Sequence, residues 1–163
     1  MRTASTGFTH DSAQNKTVDW YTPKHLFDSL GLRFDLDPAA PIGGVPWIPA
    51  DRHYSLADDG LAQPWQGRVW LNPPYGKETG KWLAKMHTHR NGLALVFART
   101  DCVWFHSFVA KADAICFLKG RVKFVDGLGV TGLSGAGAGS MLAAWGSDNV
   151  AALRRLGGLV VTP

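Results

Sequence analysis

The stretch "GRVWLNPPYG", residues 67–76, constrains the chain more than any other. Its first half, "GRVWLN", reads as a strand. Pro73 and Pro74 then fix two successive φ angles and remove two N–H groups, so no sheet ladder continues past Asn72. A strand that delivers a polar Asn72 and an aromatic Tyr75 into so stiff a corner needs a fold that uses strand ends as sites. Open α/β sheets do this, because their ligands sit beyond the carboxyl ends of the strands.

The rest of the chain repeats that pattern. "TPKHLFDSLG" predicts a short helix, with Thr22 as N-cap, Pro23 at the first helical position, Leu26, Phe27 and Leu30 on one face and Gly31 as the stop. "LRFDLDP" alternates apolar and polar residues like a strand ending at Asp37, closed by Pro38. Residues 41–67, rich in Pro, Gly and Asp, read as a long loop. "ETGKWLAKMHTHR" predicts a helix and "GLALVFART" a buried strand. "DCVWFHSFVAKA" predicts an amphipathic helix capped by Asp101, and "AICFLKGRVKFV" a strand or hairpin. After a glycine-dense loop from Gly127 to Ser140, "MLAAWG" reads as a strand and "NVAALRRLGG" as a last helix. Strands separated by helices predict an α/β sandwich with a mainly parallel sheet, and no internal repeat interrupts it. Both "FDLDP" and "WLNPPY" are carboxyl strand ends.

A chain of 163 residues fits one domain that buries its core without disulfides. The expected organisation is a loosely ordered polar arm over residues 1–17 and one domain over residues 18–163. With 45% hydrophobic and 18% charged residues, and no apolar run near the ~18 residues of a membrane span, a membrane segment is not expected. Residues 1–20 lack the apolar core of a signal peptide, and the two cysteines, Cys102 and Cys116, sit in apolar runs. These features predict a protein of the reducing cytoplasm. The net charge of +4 is compatible with a polyanionic partner.

The chemistry follows from the corner. The carbonyls before and between the prolines can accept hydrogen bonds from a ligand, the Asn72 side chain adds another acceptor, and Tyr75 offers a flat face for stacking. In-plane acceptors beside an aromatic wall suit a planar group bearing an NH₂. Such an amino group is a poor nucleophile, because its lone pair is delocalised into the ring. Accepting both of its protons in fixed geometry localises the lone pair toward an electrophile. A neutral Asn amide takes up no proton at neutral pH, so this is electrostatic preorganisation and not base catalysis.

"NPPY" resembles the catalytic motif of S-adenosylmethionine-dependent methyltransferases that act on planar nitrogens. Together, "DWYTPKHLFDSLG", "FDLDPAA", "DDGLAQPW", "VWLNPPYG", "KWLAK", "FARTDCVWF" and "FLKGRVKF" resemble the phage-type, Dam-like DNA N6-adenine methyltransferase family, from about Asp19 to Phe124. The resemblance implies a Rossmann-like methyltransferase fold and an adenine-specific DNA methyltransferase that transfers methyl from S-adenosylmethionine to a flipped-out adenine. It implies Asn72, Pro73, Pro74 and Tyr75 as the catalytic set. It also implies cofactor contacts from Tyr21, Thr22 and Pro23, from Asp37 and Pro38 near the methionine moiety, and from Asp58 or Asp59 at the cofactor's adenine. DNA is the implied partner, in a bacterial or phage-infected cell, with no metal. Methylation of an RNA base or of cytosine N4, and an idle nucleic-acid-binding module, are the alternatives. The chain departs from the family pattern after "DP", where "DPAAPIGGVP" displaces Gly43 and Gly44; this leaves Asp51 as the one weak candidate for the cofactor's ribose.

Other features have plainer readings. "HTHR" at residues 87–90 has no partner at metal-ligand spacing and suits a solvated helix end. Cys102 and Cys116 read as core thiols, and His106 as a packed residue. Trp20, Trp70, Trp82 and Trp104 read as core, with Trp20 able to border the cofactor. "GLGVTGLSGAGAGS" lacks the order of a phosphate-binding loop. Arg121 and Lys123, at a spacing of two, are expected on one side of a strand, either as a solvated face or as phosphate contacts.

Overall fold

The computed structural model describes residues 21–126, 128–130 and 136–163. The expected N-terminal arm, Trp20 and part of the glycine-dense loop lie outside the described residues. The first helix, α1 (Lys24–Leu30), buries Leu26, Phe27 and Leu30 as its pattern predicts. It ends where Gly31 takes a left-handed φ of 61° and its N–H bonds the Phe27 carbonyl. Pro23 itself holds the N-cap position, and Thr22 does not cap the helix.

Strand β1 (Phe34–Asp37) ends at Asp37 as predicted. The region read as a long loop contains a short strand, β2 (Ala50–His53), that pairs in parallel with β1. Its Asp-Arg-His composition leaves it largely exposed at the sheet edge, which is why no apolar pattern announces it. Strand β3 (Val69–Leu71) is wholly buried and stops before the prolines. It leads into α2 (Thr79–His89), then the buried strand β4 (Gly92–Phe97).

The helix expected over "DCVWFHSFVAKA" is broken into α3 (Val103–Ser107) and a 3₁₀ turn (Val109–Lys111). Cys102, not Asp101, takes the N-cap position, without a side-chain cap. Strand β5 (Ala114–Phe117) is only the first third of the predicted strand or hairpin. Arg121 and Lys123 are therefore not on a strand, although burial still alternates around Val122. Then come β6 (Ser140–Trp145), α4 (Ser147–Leu153) with a 3₁₀ turn (Arg154–Leu156), and β7 (Leu159–Val161).

The seven strands form one sheet in the order β2-β1-β3-β4-β6-β5-β7. Strands β1 to β5 run one way; β6 and β7 run against them. This is a Rossmann-like α/β sandwich. One apolar layer joins the sheet to α1 and α4 through Phe27, Leu30, Trp70, Leu95 and Leu153. The other joins it to α2 and the α3 region through Leu83, Met86, Val96 and Val109. Among the described residues no helix is long and apolar enough to cross a membrane.

From β1 the chain steps outward to β2 and then returns to the other side of β1 as β3. That reversal is the switch point at which open α/β sheets leave a crevice for ligands. The carboxyl ends of β1 and β3 flank it, and they carry Asp37 and Asn72.

Candidate active site

A bulge aims Asp37. The N–H groups of Asp35 and Leu36 both bond the Arg68 carbonyl, at 2.8 and 3.3 Å, so two residues of β1 oppose one of its neighbour. Phe34 consequently packs in the α1 layer while Leu36, two residues on, packs in the α2 layer. Continued alternation from Leu36 then directs Asp37 toward the α1 face. Trp70 packs against α1, and Asn72 follows two residues later, one past the end of β3. Strict alternation along "LRFDLDP" would have sent Asp37 to the opposite side.

Asp37 is buried at 5% exposure, and its carboxylate accepts one bond, from the Ala39 N–H at 3.2 Å. Desolvation pushes its pKa up from 3.8 to about 7, against the lowering effect of that bond. No cation of the described residues pairs with it. A buried carboxylate held ready without a partner suits a cationic ligand.

The corner after β3 is closed from within. Thr79, 2% exposed, donates its hydroxyl to the Pro74 carbonyl at 2.9 Å and accepts from the Gly76 N–H at 3.1 Å. Among the described residues nothing donates to the Pro73 carbonyl, which stays available. Tyr75 donates from its hydroxyl to Asn72 Oδ1 at 3.3 Å. Its ring lies on Phe97 at a centroid distance of 4.3 Å and an interplanar angle of 18°. Desolvation holds the phenol above its ordinary range, yet the residue stays 42% exposed, so one ring face is backed by Phe97 while the residue remains open to a ligand. Thr79 and Phe97 escaped the sequence reading. The signal for Phe97 was its place as the last apolar residue of the strand beside the motif.

"YTP" lies along the same rim. Tyr21 pairs with Val125, in the connection between β5 and β6, through two backbone hydrogen bonds of 2.7 and 2.9 Å. The Thr22 carbonyl accepts from Trp47 Nε1 at 2.9 Å, while its hydroxyl is fully buried with no partner. Pro23 and Pro38 are buried.

The two acidic candidates separate. Asp58 accepts from the Ser55 N–H at 2.8 Å and the Ser55 hydroxyl at 2.7 Å, and these bonds hold its pKa below the ordinary value. Asp59 is exposed, has a φ of 53° and makes no side-chain hydrogen bond. The next residue, Gly60, is packed so closely on the end of β1 that an added Cβ would lie 2.0 Å from the Pro38 carbonyl. Asp59 is thus tied to the Asp37 end of the crevice with its carboxylate unused.

Asp51 is at the other end. It is the second residue of β2, away from the carboxyl ends, and pairs with Arg33. This removes it from the rim. Arg121 and Lys123 are exposed, and Arg121 donates to the Ala136 carbonyl at 3.1 Å. His106 is exposed rather than packed in the interior, against Phe105 alone. The "HTHR" stretch is tied down and not merely solvated: His89 bonds the Gly67 carbonyl at 2.7 Å and Arg90 pairs with Asp113. Cys116 is buried in the core, whereas Cys102 is half-buried. Trp70 and Trp82 are core, and Trp104 is half-buried.

The Asp37 carboxylate, which has no paired cation among the described residues, the orphaned Thr22 hydroxyl and the tight Gly60 cradle fit a ligand carrying both cationic and polar groups along the rim. No curated protein and no solved structure is significantly similar to the chain. The family model described as DNA N-6-adenine-methyltransferase (Dam) matches residues 10–150. A match that spans both strand ends, the proline corner and the rim segments means that the chain belongs to the Dam family of DNA N-6-adenine-methyltransferases.

Proposed function

We propose that the chain methylates N6 of a flipped-out adenine in DNA with S-adenosylmethionine as donor. The observation that carries this reading is that β1 and β3, parallel neighbours at the switch point, carry Asp37 and Asn72 at their carboxyl ends. The donor supplies a methyl group on a sulfonium, an electrophile that needs no covalent enzyme intermediate. Asp37 and Pro38 hold its cationic methionine end, Tyr21, Thr22 and Pro23 line the crevice, and Asp59 accepts from the amino group of its adenine. Asp58, committed to Ser55, shapes that loop.

Asn72 Oδ1 and the Pro73 carbonyl accept hydrogen bonds from the two N6–H groups of the substrate base, while Pro74 fixes the angle between them, and the strongly acidic N-methylated amino group releases one proton to water after the transfer. The base stacks on Tyr75, whose ring Phe97 backs. To reach that place the adenine must leave the duplex stack. Arg121 and Lys123 meet phosphates near the rim.

Calorimetric titration with S-adenosylmethionine, followed by digestion of methylated duplex DNA to nucleosides, tests the proposal. N6-methyl-2′-deoxyadenosine as the sole modified nucleoside is expected. N4-methylcytosine, or methylation of RNA alone, would replace the substrate assignment, and absence of cofactor binding would end the enzyme reading.

A further inference from the structure

Lys85 lies on α2, the helix that leaves the Asn72–Tyr75 corner, yet its ammonium serves a different segment. It donates to the Gln63 carbonyl and, at 2.6 Å, to that of Leu61, with the Gly60 carbonyl at 3.5 Å. It also sits 5.0 Å above the Trp65 ring. An ammonium has three N–H donors, and three converging carbonyls use all of them. Trp65 adds its own Nε1–H to the Gly60 carbonyl at 2.8 Å and stacks on Trp82 of α2. With Gly60 pressed on the Pro38 carbonyl, residues 60–65 are clamped between the end of β1 and α2.

Asp59 stands at the head of that clamp. Its φ of 53° is one that non-glycine residues keep only where their surroundings hold them. Gln63 Nε2 donates to the Asp58 carbonyl at 2.8 Å, and Asp58 is committed to Ser55. The Asp59 carboxylate is the group left over. Desolvation draws the Lys85 ammonium below its ordinary pKa and the Asp59 charge opposes this, so the two residues sense each other without an ion pair.

We propose that Lys85 is a positioning residue for cofactor binding, holding the backbone after Asp59 so that its carboxylate meets the amino group of the cofactor's adenine. This rests on the reading of Asp59 under Proposed function. The consequence is confined to binding, because Lys85 touches neither the corner that holds N6 nor Asp37. A lysine with only a structural role would shift melting temperature and leave discrimination at the adenine end untouched.

The test compares the wild-type chain with Lys85→Met, Lys85→Gln, Asp59→Asn and the double variant Lys85→Met/Asp59→Asn. KM and kcat for S-adenosylmethionine are measured on duplex DNA. Calorimetry measures affinity for S-adenosylhomocysteine and for its analogue lacking the adenine 6-amino group. Lys85→Met is expected to raise KM about tenfold with kcat within about twofold, the scale of one charge-assisted hydrogen bond lost from the ground state and transition state alike. It should also shrink the preference for the amino compound, and the double variant should be no worse than Asp59→Asn. If Lys85→Met does not fold, Lys85→Gln carries the same expectation. Lys85 variants that keep the wild-type KM and preference while Asp59→Asn loses them would overturn the proposal alone, as would fully additive losses. An Asp59→Asn variant with wild-type preference would overturn the underlying Asp59 reading, and the proposal with it.

Discussion

Asn72 is a neutral amide, so the catalytic part proposed for it is confined to accepting hydrogen bonds. Asn72→Ala is expected to leave cofactor affinity nearly unchanged and lower turnover by about two orders of magnitude or more, the usual loss for one preorganised transition-state partner. Single-turnover methylation beside calorimetry separates the two effects, and parental turnover would refute the acceptor account. Tyr75 adds a complication, because its hydroxyl already donates to Asn72 Oδ1 and must yield to the incoming amino group. Tyr75→Phe keeps the stacking ring and removes that competitor, so it should turn over at least as fast as the parent. Tyr75→Ala should weaken the flipped-base complex by roughly 1 to 3 kcal/mol; equal damage from both would assign the phenol a required bond. Asp37 gives a pH signature. Its carboxyl titrates at 3.8 in the ordinary state and near 7 in the fold, so between these values the folded chain holds a proton that the unfolded chain has lost. Stability therefore falls as pH rises through that window, by roughly 2 to 4 kcal/mol, and Asp37→Asn removes the slope. Cofactor affinity should run the opposite way, rising as pH passes 7 and Asp37 acquires the charge that attracts a cation. Denaturation and binding measured across that range for parent and Asp37→Asn check both signs.

At the level of elements, the parts legible in the sequence were those governed by local rules. Pro73 and Pro74 end β3, Gly31 ends α1, and the uninterrupted apolar run of β4 marks a central strand. Illegible were features set by a neighbouring segment. The bulge that turns Asp37 to the α1 face depends on one carbonyl of Arg68 serving two N–H groups, and Asp35 Oδ2 accepting the Arg68 N–H at 2.6 Å reinforces it. Nothing in "LRFDLDP" alone encodes that partner. Strand β2 was missed because edge pairing with β1, not burial, makes Asp51 and Arg52 extended. The predicted strand over "AICFLKGRVKFV" stops at Phe117; beyond it Val122 is buried between exposed Arg121 and Lys123, and Val125 is joined to Tyr21 by an isolated bridge. For the site, "NPPY" was readable as an acceptor corner. The proposed preference for Asp59 over Asp58 was not, because it rests on Ser55 capturing one of two adjacent carboxylates. The junction of β1 with the Asp59 loop yields its own test. Gly60→Ala places a methyl 2.0 Å from the Pro38 carbonyl, where backbone cannot give way cheaply. A stability loss of roughly 1 to 3 kcal/mol is expected, with weaker cofactor binding in the variant that still folds. Chemical denaturation and calorimetry check both, and a neutral substitution would show that the Asp59 loop is not packed on β1.

For the whole molecule, the open question is how such a chain selects its DNA. Sequence readout requires an element that enters the major groove and presents several side chains to base edges. The sheet and its two helical layers consume most of the described residues, and the helices pack on the sheet. Among the described residues the exposed connections are parts of the β1–β2 connection, residues 56–59 between β2 and β3, and parts of the excursion between β5 and β6. The last of these begins with Lys119, Arg121 and Lys123, but from Gly127 to Ser140 it carries no charged residue. Its described tip exposes Leu128 and Val130, at 88% and 59%, which suit apolar contact with a displaced base and offer no donors for a multi-base code. Arg121 and Lys123, both exposed, suit phosphates, and phosphate contacts set position without reading sequence. We therefore expect a short or permissive recognition sequence for this chain acting alone, with binding that weakens steeply as salt is added. Replacing Arg121 and Lys123 together by Gln should lower affinity for all sequences alike and reduce the slope of log affinity against log salt by about 2, one for each lost phosphate contact. Sequencing the sites methylated in a random duplex library, for parent and double variant, tests both parts. A strict site of six or more bases made by the monomer, or a change of sequence preference in the double variant, would mean that this excursion reads bases and does not merely hold the backbone.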